Sequence, residues 1–135
     1  MLVPPWNRIA KDLLPELAGL GLRGLSTHGP RATPEVAGLA VCNSHVDVLR
    51  WRPTRGFLGE AATLYLLIGH LSARRQGQVD AAEPSGLLTH HLVMDPPAWD
   101  FLAHLLTALD GHPAVRWIPA GEAFGLSAAP AKMPA

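Results

Sequence analysis

Two adjacent histidines, His90 and His91, stand out among the side chains suited to acid–base chemistry. They lie in the apolar run 86–93, which is typical of a buried strand. Imidazole exchanges protons near neutral pH, so a histidine at a strand end can act as a general acid or base. Neighbouring strand residues point to opposite faces, so the two cannot both bind one metal in regular geometry. Alternatively, both histidines are packing residues. The sequence also leaves open which of the two faces a cleft, because a one-residue shift in strand register would exchange their faces.

A histidine and a carboxylate separated by one residue, His45 and Asp47, form a second candidate site. On one strand they would lie on the same face, about 6.5–7 Å apart along the chain. A carboxylate in that position can orient a histidine of the same strand or of a neighbouring strand. The alternative interpretation is a solvated strand end.

The segment 3–8 (V-P-P-W-N-R) combines a rigid backbone with the aromatic face of Trp6 and the polar side chain of Asn7. Tryptophan buries a large area at little entropic cost, so this segment suits stacking against a sugar. The alternative is a strand ended by prolines, with Trp6 in the core. The three other tryptophans are expected in the core or in a groove wall: Trp51, Trp99 and Trp117.

The elements that would position these side chains alternate along the chain. Apolar and β-branched runs predict extended segments, and helical spacing of apolar residues predicts helices between them. This order favours an α/β fold with a largely parallel sheet, in which ligands lie beyond the carboxyl ends of the strands. The predicted strands cover 22–27, 36–48, 86–93 and 115–118, and the predicted helices cover 9–20, 60–76 and 97–109, with one further turn at 122–124.

Several local signals accompany the predicted helices. Asp95 before Pro96 is typical of a helix N-cap. Cys42 is expected to be a small buried residue. Three histidines are expected at the surface or at helix caps: His70, His104 and His112. The apolar stripe of helix 60–76 comprises Ala61, Leu64, Leu67, Ile68 and Leu71, and the inward face of helix 97–109 is predicted to comprise Trp99, Leu102, Leu105, Leu106 and Leu109.

Composition excludes several classes of protein. The chain has 135 residues, 48% of them hydrophobic, so a sizeable core can form. Eleven basic residues balance eleven acidic ones, which disfavours a nucleic-acid binder. One cysteine rules out an internal disulfide framework, and no apolar run is long enough to span a bilayer. The start of the sequence lacks the features of a signal peptide, so a cytoplasmic protein is expected.

Three segments, taken together, resemble the polysaccharide deacetylases, the NodB-homology family of bacterial carbohydrate esterases. They are L-V-P-P-W-N-R (2–8), H-V-D-V-L-R-W-R (45–52) and G-L-L-T-H-H-L-V (86–93). The resemblance covers residues 1–126 and implies part of a distorted (β/α) barrel that lacks its first strands. Residues 127–135 are expected to form a disordered Ala/Pro-rich tail.

The resemblance also implies roles for individual residues. His90 would be the catalytic acid that protonates the leaving amine, and Asp47 would tune it. Substrate would contact two groove walls and a pocket for the acetyl methyl, formed by Pro5, Trp6, Asn7, Trp51 and Leu88. The chain departs from the family pattern at Val3, where an arginine is usual, and at Arg50, where a second acidic residue is usual.

The first two family motifs, which supply a catalytic base and the ligands of a divalent metal such as zinc, have no counterpart in this sequence. The resemblance therefore implies metal-dependent hydrolysis of N-acetyl groups on an oligo- or polysaccharide by a longer domain, a hydrolase acting on C–N bonds other than peptide bonds. The 135 residues alone are expected to be inactive and to self-associate through an exposed sheet edge. The alternatives are a non-catalytic carbohydrate-binding module and a vestigial chain.

Overall fold

The computed structural model of the chain describes residues 1–126, so the predicted tail lies outside the described residues. The described part combines helices with small sheets. Its strands are β1 (Gly24–Leu25), β2 (Glu35–Val36), β3 (Leu39–Val41), β4 (Val46–Asp47), β5 (Leu49–Arg50), β6 (Gly56–Phe57) and β7 (Leu87–Leu88). Its α-helices are α1 (Leu14–Gly19), α2 (Glu60–Arg75), α3 (Pro96–Leu109) and α4 (Ala120–Ala123), with 3₁₀ turns at Pro5–Asn7 and Lys11–Leu13.

Parallel contacts connect four segments side by side. Leu2 pairs with Leu25 of β1, and β1 pairs with β3. The chain continues from β3 into β4, which pairs with β7 in parallel. The segments thus lie in the order Leu2, β1, β3–β4 and β7. Two further strand pairs, β2–β3 and β5–β6, are antiparallel. The α/β class and the part-barrel remain predictions.

Two hairpins were not predicted, and the first of them interrupts the predicted extended segment 36–48. β2 and β3 are antiparallel and are joined by Ala37 and Gly38, which both have positive φ. That is the geometry of a tight two-residue hairpin turn, usually carried by Asn-Gly. β5 and β6 form the second antiparallel pair. The prediction missed the first hairpin because alanine at its first turn position gives no turn signal.

Two of the predicted strands differ from the structure. One is shorter than predicted, and the other does not form within residues 1–126. β7 covers only two residues of the predicted strand 86–93, because the chain turns after His90, whose carbonyl accepts from the amides of Val93 and Met94. Segment 115–118, which belongs to the described residues, forms no strand there. The predicted helix 9–20 is split into a 3₁₀ turn and α1, with Pro15 in the first turn of α1.

Helix α3 matches the predicted helix 97–109, and Asp95 is confirmed as its N-cap. The Asp95 carboxylate accepts a hydrogen bond from the amide of Ala98 at 3.1 Å, and Pro96 follows at the first helical position. The buried face of α3 is rotated from the predicted one, because it is formed by Ala98, Phe101 and Leu105, whereas Trp99 and Leu106 are exposed.

Helix α2 confirms the predicted helix 60–76 in extent but not the burial of its apolar stripe. Thr63 is its buried residue, and Leu64 and Leu67 are half-buried. The stripe's other members face solvent: Ala61, Ile68 and Leu71. None of the helices within residues 1–126 has the length and apolarity needed to cross a membrane.

Candidate functional site

One cavity collects the side chains that the sequence picked out at separate points. It has a volume of about 610 Å³ and is lined by segment 3–7, which follows the bridging residue Leu2, and by residues at the ends of β4, β5 and β7. All seven residues implied by the resemblance line it: Pro5, Trp6, Asn7, Asp47, Trp51, Leu88 and His90. Val3, Pro4 and Thr89 complete the lining. We call this cavity the cleft.

A carboxylate and an imidazole meet in the cleft. Nε2 of His90 lies 3.1 Å from Oδ1 of Asp47, and both side chains are about one quarter exposed, at 24% and 22%. An ionised carboxylate only accepts, so Nε2 of His90 carries the proton in this contact. The pair therefore fixes the tautomer and the orientation of the ring while leaving it open to solvent.

Trp51 contacts both members of this pair. Its Nε1–H donates to Oδ2 of Asp47 at 2.9 Å, and the backbone amide of Leu49 donates to Oδ1 at 2.9 Å. The indole also meets the His90 ring edge-on, with centroids 4.8 Å apart and planes at 88°. Trp51 is thus a groove wall, as predicted, and in addition a hydrogen-bond donor to the carboxylate.

The register of β4 and β7 explains why the pair forms. Asp47 stands opposite Leu88, and His90 follows Leu88 by two residues. Before Asp47 the strand is irregular, because the amides of His45 and Val46 both donate to the carbonyl of Gly86. Two residues opposite one is the pattern of a β-bulge, and a bulge shifts the alternation of side chains.

The bulge sends His45 and Asp47 to different environments. The prediction that these residues lie on one face is wrong, because the His45 side chain is 1% exposed and lies against Glu83, away from the cleft. The partner of Asp47 is the histidine of the neighbouring strand. The structure also places His90 rather than His91 in the cleft, and His91 is exposed in the turn that follows.

The remaining wall of the cleft has an unusual backbone. Trp6 and Asn7 both have left-handed φ, at 57° and 55°, and the Trp6 side chain is 87% exposed. Asparagine tolerates this conformation, whereas for tryptophan it costs on the order of 1–2 kcal/mol. Strained residues often occur at ligand sites. Placement of Trp6 in the core is wrong, because its indole stands in solvent at the cleft.

The metal implied by the resemblance does not fit the residues present. Within residues 1–126, no group of three or more His, Cys, Asp or Glu side chains is arranged to hold an ion. Divalent catalytic metals need about three protein ligands. The Asp47–His90 pair offers two atoms that could bind a metal, but these atoms already contact one another. The described residues therefore provide no ligand set for a catalytic metal.

A buried polar cluster around Glu83 and His45 was missed by the sequence analysis. Glu83, 1% exposed, accepts three hydrogen bonds: from the amide of Arg31 at 2.9 Å, the amide of Asn43 at 2.8 Å and Nε2 of His45 at 3.1 Å. Nδ1 of His45 accepts from the amide of Gly86 at 3.1 Å. The imidazole is therefore fixed in its Nε2–H tautomer by two partners.

Helix α2 closes this cluster with His70. The rings of His70 and His45 stack with centroids 3.9 Å apart, and Nε2 of His70 lies 3.0 Å from the hydroxyl of Ser85. Burial, followed by the neighbouring His45 and Arg74, lowers the pKa of His70 to about 4. His70 was expected at the surface or at a cap; it is half-buried in the middle of α2, because its ring packs onto His45. No local sequence pattern predicts this cluster, since Glu83 lies in a polar segment between α2 and β7.

The other predicted positions lie outside the cleft. Cys42 is buried, as predicted, and burial raises the pKa of its thiol. Trp117 is 54% exposed and lines a separate cavity of about 290 Å³ at the end of α3. Trp99, 46% exposed, lies outside the core. His104 and His112 are exposed, as expected.

Comparison with known proteins gave no match: no protein-family model, no curated protein and no solved structure is similar to this chain.

Proposed function

We propose that the cleft binds an acetylated oligosaccharide and that His90 is the acid of a polysaccharide-deacetylase-type site. The observation that carries the proposal is the contact of 3.1 Å between His90 and Asp47 inside a cavity walled by Trp6 and Trp51. Indole faces pack well against the apolar faces of sugar rings, and an imidazole held by a carboxylate suits proton transfer near neutral pH.

The tautomer of His90 determines which atom would donate. Asp47 holds the proton on Nε2, so protonation of the ring adds its second proton at Nδ1. Nδ1–H is then the group that passes a proton to the leaving amine when an amide breaks. Asp47 keeps the ring oriented through this contact.

The apolar part of the cleft suits the acyl group. Leu88 lines the cavity close to His90, two residues along the same chain segment. A methyl group gains about 0.8 kcal/mol when it leaves water for such a surface. An acetamido group therefore fits with its methyl against Leu88 and its nitrogen toward His90.

Hydrolysis also needs an activated water and a base, and the described residues offer no metal-ligand set for that half of the chemistry. We therefore expect the 135-residue chain alone to bind the sugar without deacetylating it. The proposed reaction belongs to an assembly in which further residues supply the metal and the base. A longer protein containing this chain would be one such assembly.

Calorimetric titration with N-acetylchitotetraose tests the binding step. We expect saturable binding that Trp6→Ala weakens about tenfold or more, since one stacked aromatic side chain contributes roughly 1–2 kcal/mol. Trp117→Ala is the control, because Trp117 is also an exposed tryptophan, at 54%, but lies outside the cleft. Equal affinity for both variants would contradict the proposal.

A second candidate function, a non-catalytic carbohydrate-binding module, is favoured by the 87% exposure of Trp6 together with the lack of a metal-ligand set in residues 1–126. The two functions differ in what they recognise. A deacetylase-type cleft prefers the N-acetylated tetramer over its N-deacetylated form, and Leu88→Ala reduces that preference. A stacking module binds both sugars alike, and Leu88→Ala changes neither affinity.

A further inference from the structure

The outward face of α2 is apolar, in contrast to its inward face. Tyr65 is 77% exposed, Ile68 61%, Leu66 45% and Leu71 44%. The residues that face the protein include polar ones, with Thr63 buried and His70 packed on His45, beside the half-buried Leu67. A helix on the surface of a soluble domain usually has the opposite arrangement.

The inward face cannot take up these apolar side chains by a rotation of the helix. The ring of His70 stacks on that of His45 with centroids 3.9 Å apart, and Nε2 of His70 lies 3.0 Å from the hydroxyl of Ser85. Arg74 donates to the hydroxyl of Ser85 at 3.0 Å and to the carbonyl of Ala81 at 2.6 Å. Rotation would break these bonds, so the outward orientation of the apolar stripe is fixed by the polar contacts beneath it.

The outward stripe has a spacing that suits a second helix. Its members alternate in steps of three and four residues, which is the a/d pattern of helices that pack side by side: Ala61, Leu64, Ile68, Leu71 and Arg75. Leu64 is half-buried at the edge of this stripe, and the other four residues are exposed. The pattern is nearly symmetric about Ile68. Two copies of α2 packed antiparallel about Ile68 would bring each Leu64 beside the partner's Leu71.

Charges at the two ends of α2 complement each other in that arrangement. Glu60 begins the helix and Arg75 ends it, and both are exposed. In an antiparallel pair each Glu60 meets the partner's Arg75, and the two helix dipoles run in opposite directions. A parallel pair would instead place like charges together at both ends.

We propose that a second copy of this chain covers the outward face of α2, forming a two-fold symmetric, antiparallel α2–α2 dimer. A two-fold interface uses the same patch on both copies, which this self-complementary stripe provides. The dimer is independent of the proposed sugar site, because no residue of the stripe lines the cleft. It also differs from association through a sheet edge.

Sedimentation velocity over a range of protein concentrations tests the dimer. We expect a reversible monomer–dimer equilibrium, which Ile68→Glu weakens by about a hundredfold or more because each dimer carries the buried charge twice. Leu92→Glu is the control, since Leu92 is 87% exposed but lies outside α2. A monomeric native chain, or a dimer that survives Ile68→Glu, would overturn the proposal.

The orientation of the helices is tested by exchanging charges. Glu60→Arg places two arginines together and should raise the dissociation constant about two- to fivefold, and adding Arg75→Glu should restore it. Failure of the double variant to recover would overturn the antiparallel register.

Disulfide trapping gives a second, independent readout. Ile68→Cys should form a disulfide between copies on oxidation, because residue 68 lies on the two-fold axis. Leu66→Cys, on the flank of the helix, should not. The native Cys42 is buried and its thiol pKa is raised by burial, so it stays out of the reaction. Trapping at position 66 but not at 68 would contradict the arrangement.

Discussion

The side chains of Asp47 and His90 meet across 43 residues of sequence because β4 and β7 run in parallel with Asp47 opposite Leu88. The contact therefore depends on the register of two very short strands. A shift of one residue would exchange the faces of both side chains.

Gly86→Ala should disturb the register. A Cβ at this position would lie 2.8 Å from the carbonyl oxygen of Asn43 and 3.1 Å from the Cα of Ser44. Both are backbone atoms of the neighbouring strand, so the strands must separate. We expect the free energy of unfolding to fall by about 1–3 kcal/mol in urea denaturation.

Gly19→Ala is the matched control for that substitution. Gly19 ends α1 and has no heavy atom within 4 Å of its added Cβ. Alanine is favoured over glycine in a helix, so stability should stay equal or rise by less than about 1 kcal/mol. Equal losses of unfolding free energy in the two variants would show that close packing at Gly86 does not determine the stability of the chain.

Asp47→Ala should destabilise the chain although Asp47 is partly exposed. The carboxylate accepts from the Leu49 amide, from the Trp51 indole and from His90. Removing it leaves three donors without their partner, which we expect to cost about 1–3 kcal/mol in urea denaturation. Asp12→Ala, at an exposed position, should change stability by less than about 0.5 kcal/mol.

The same substitution should also release the indole of Trp51. Its Nε1–H proton should exchange with solvent faster in Asp47→Ala than in the native chain, as measured by NMR. An unchanged exchange rate would show that Asp47 does not hold Trp51 in solution.

Glu83→Gln should be more damaging than any substitution in the cleft. The buried carboxylate accepts from two backbone amides and from His45, and an amide group would turn one of its two acceptor atoms into a donor facing them. We expect a loss of about 2–4 kcal/mol by thermal or urea unfolding. Glu35→Gln, at an exposed strand position, serves as the control and should be nearly neutral.

Stability should fall as pH drops from about 6.5 to about 4. The pKa of His70 is lowered from 6.5 to about 4 in the folded chain, chiefly by burial and then by His45 and Arg74, with Glu83 opposing. The unfolded chain therefore binds the proton first, and acid favours unfolding across this window. Because solvent partly screens the ring, we expect a loss of about 1–2 kcal/mol.

His70→Gln removes this titration and keeps a side chain able to hydrogen-bond Ser85. Urea midpoints measured between pH 7 and pH 4 should vary less in this variant than in the native chain. An identical pH dependence in both would assign the acid sensitivity to other groups.

The sequence predicted the parts of the fold that local signals determine. Helical spacing located α2, and Asp95 with Pro96 located the start of α3. Polar residues at the ends of predicted strands indicated candidate site residues, since parallel strands bring their carboxyl ends together, and the resemblance selected the ones that line the cleft. These signals need only a few neighbouring residues, so one sequence is enough to detect them.

The features that were missed depend on distant contacts. The bulge that separates His45 from Asp47 arises where two amides share the Gly86 carbonyl, 41 residues from His45 along the chain. The burial of Glu83 depends on partners in two other segments. The outward apolar face of α2 likewise follows from the polar contacts of His70, which helical periodicity cannot reveal.

The proposed orientation of an acetylated sugar in the cleft is tested most directly by intermolecular NOEs between N-acetylchitotetraose and the chain. We predict NOEs from the acetyl methyl of one sugar residue to the methyl groups of Leu88 and to the His90 ring, with NOEs from sugar ring protons to the indole of Trp6. Contacts of the acetyl methyl with neither Leu88 nor His90, or no NOEs at a saturating sugar concentration, would contradict the proposed function.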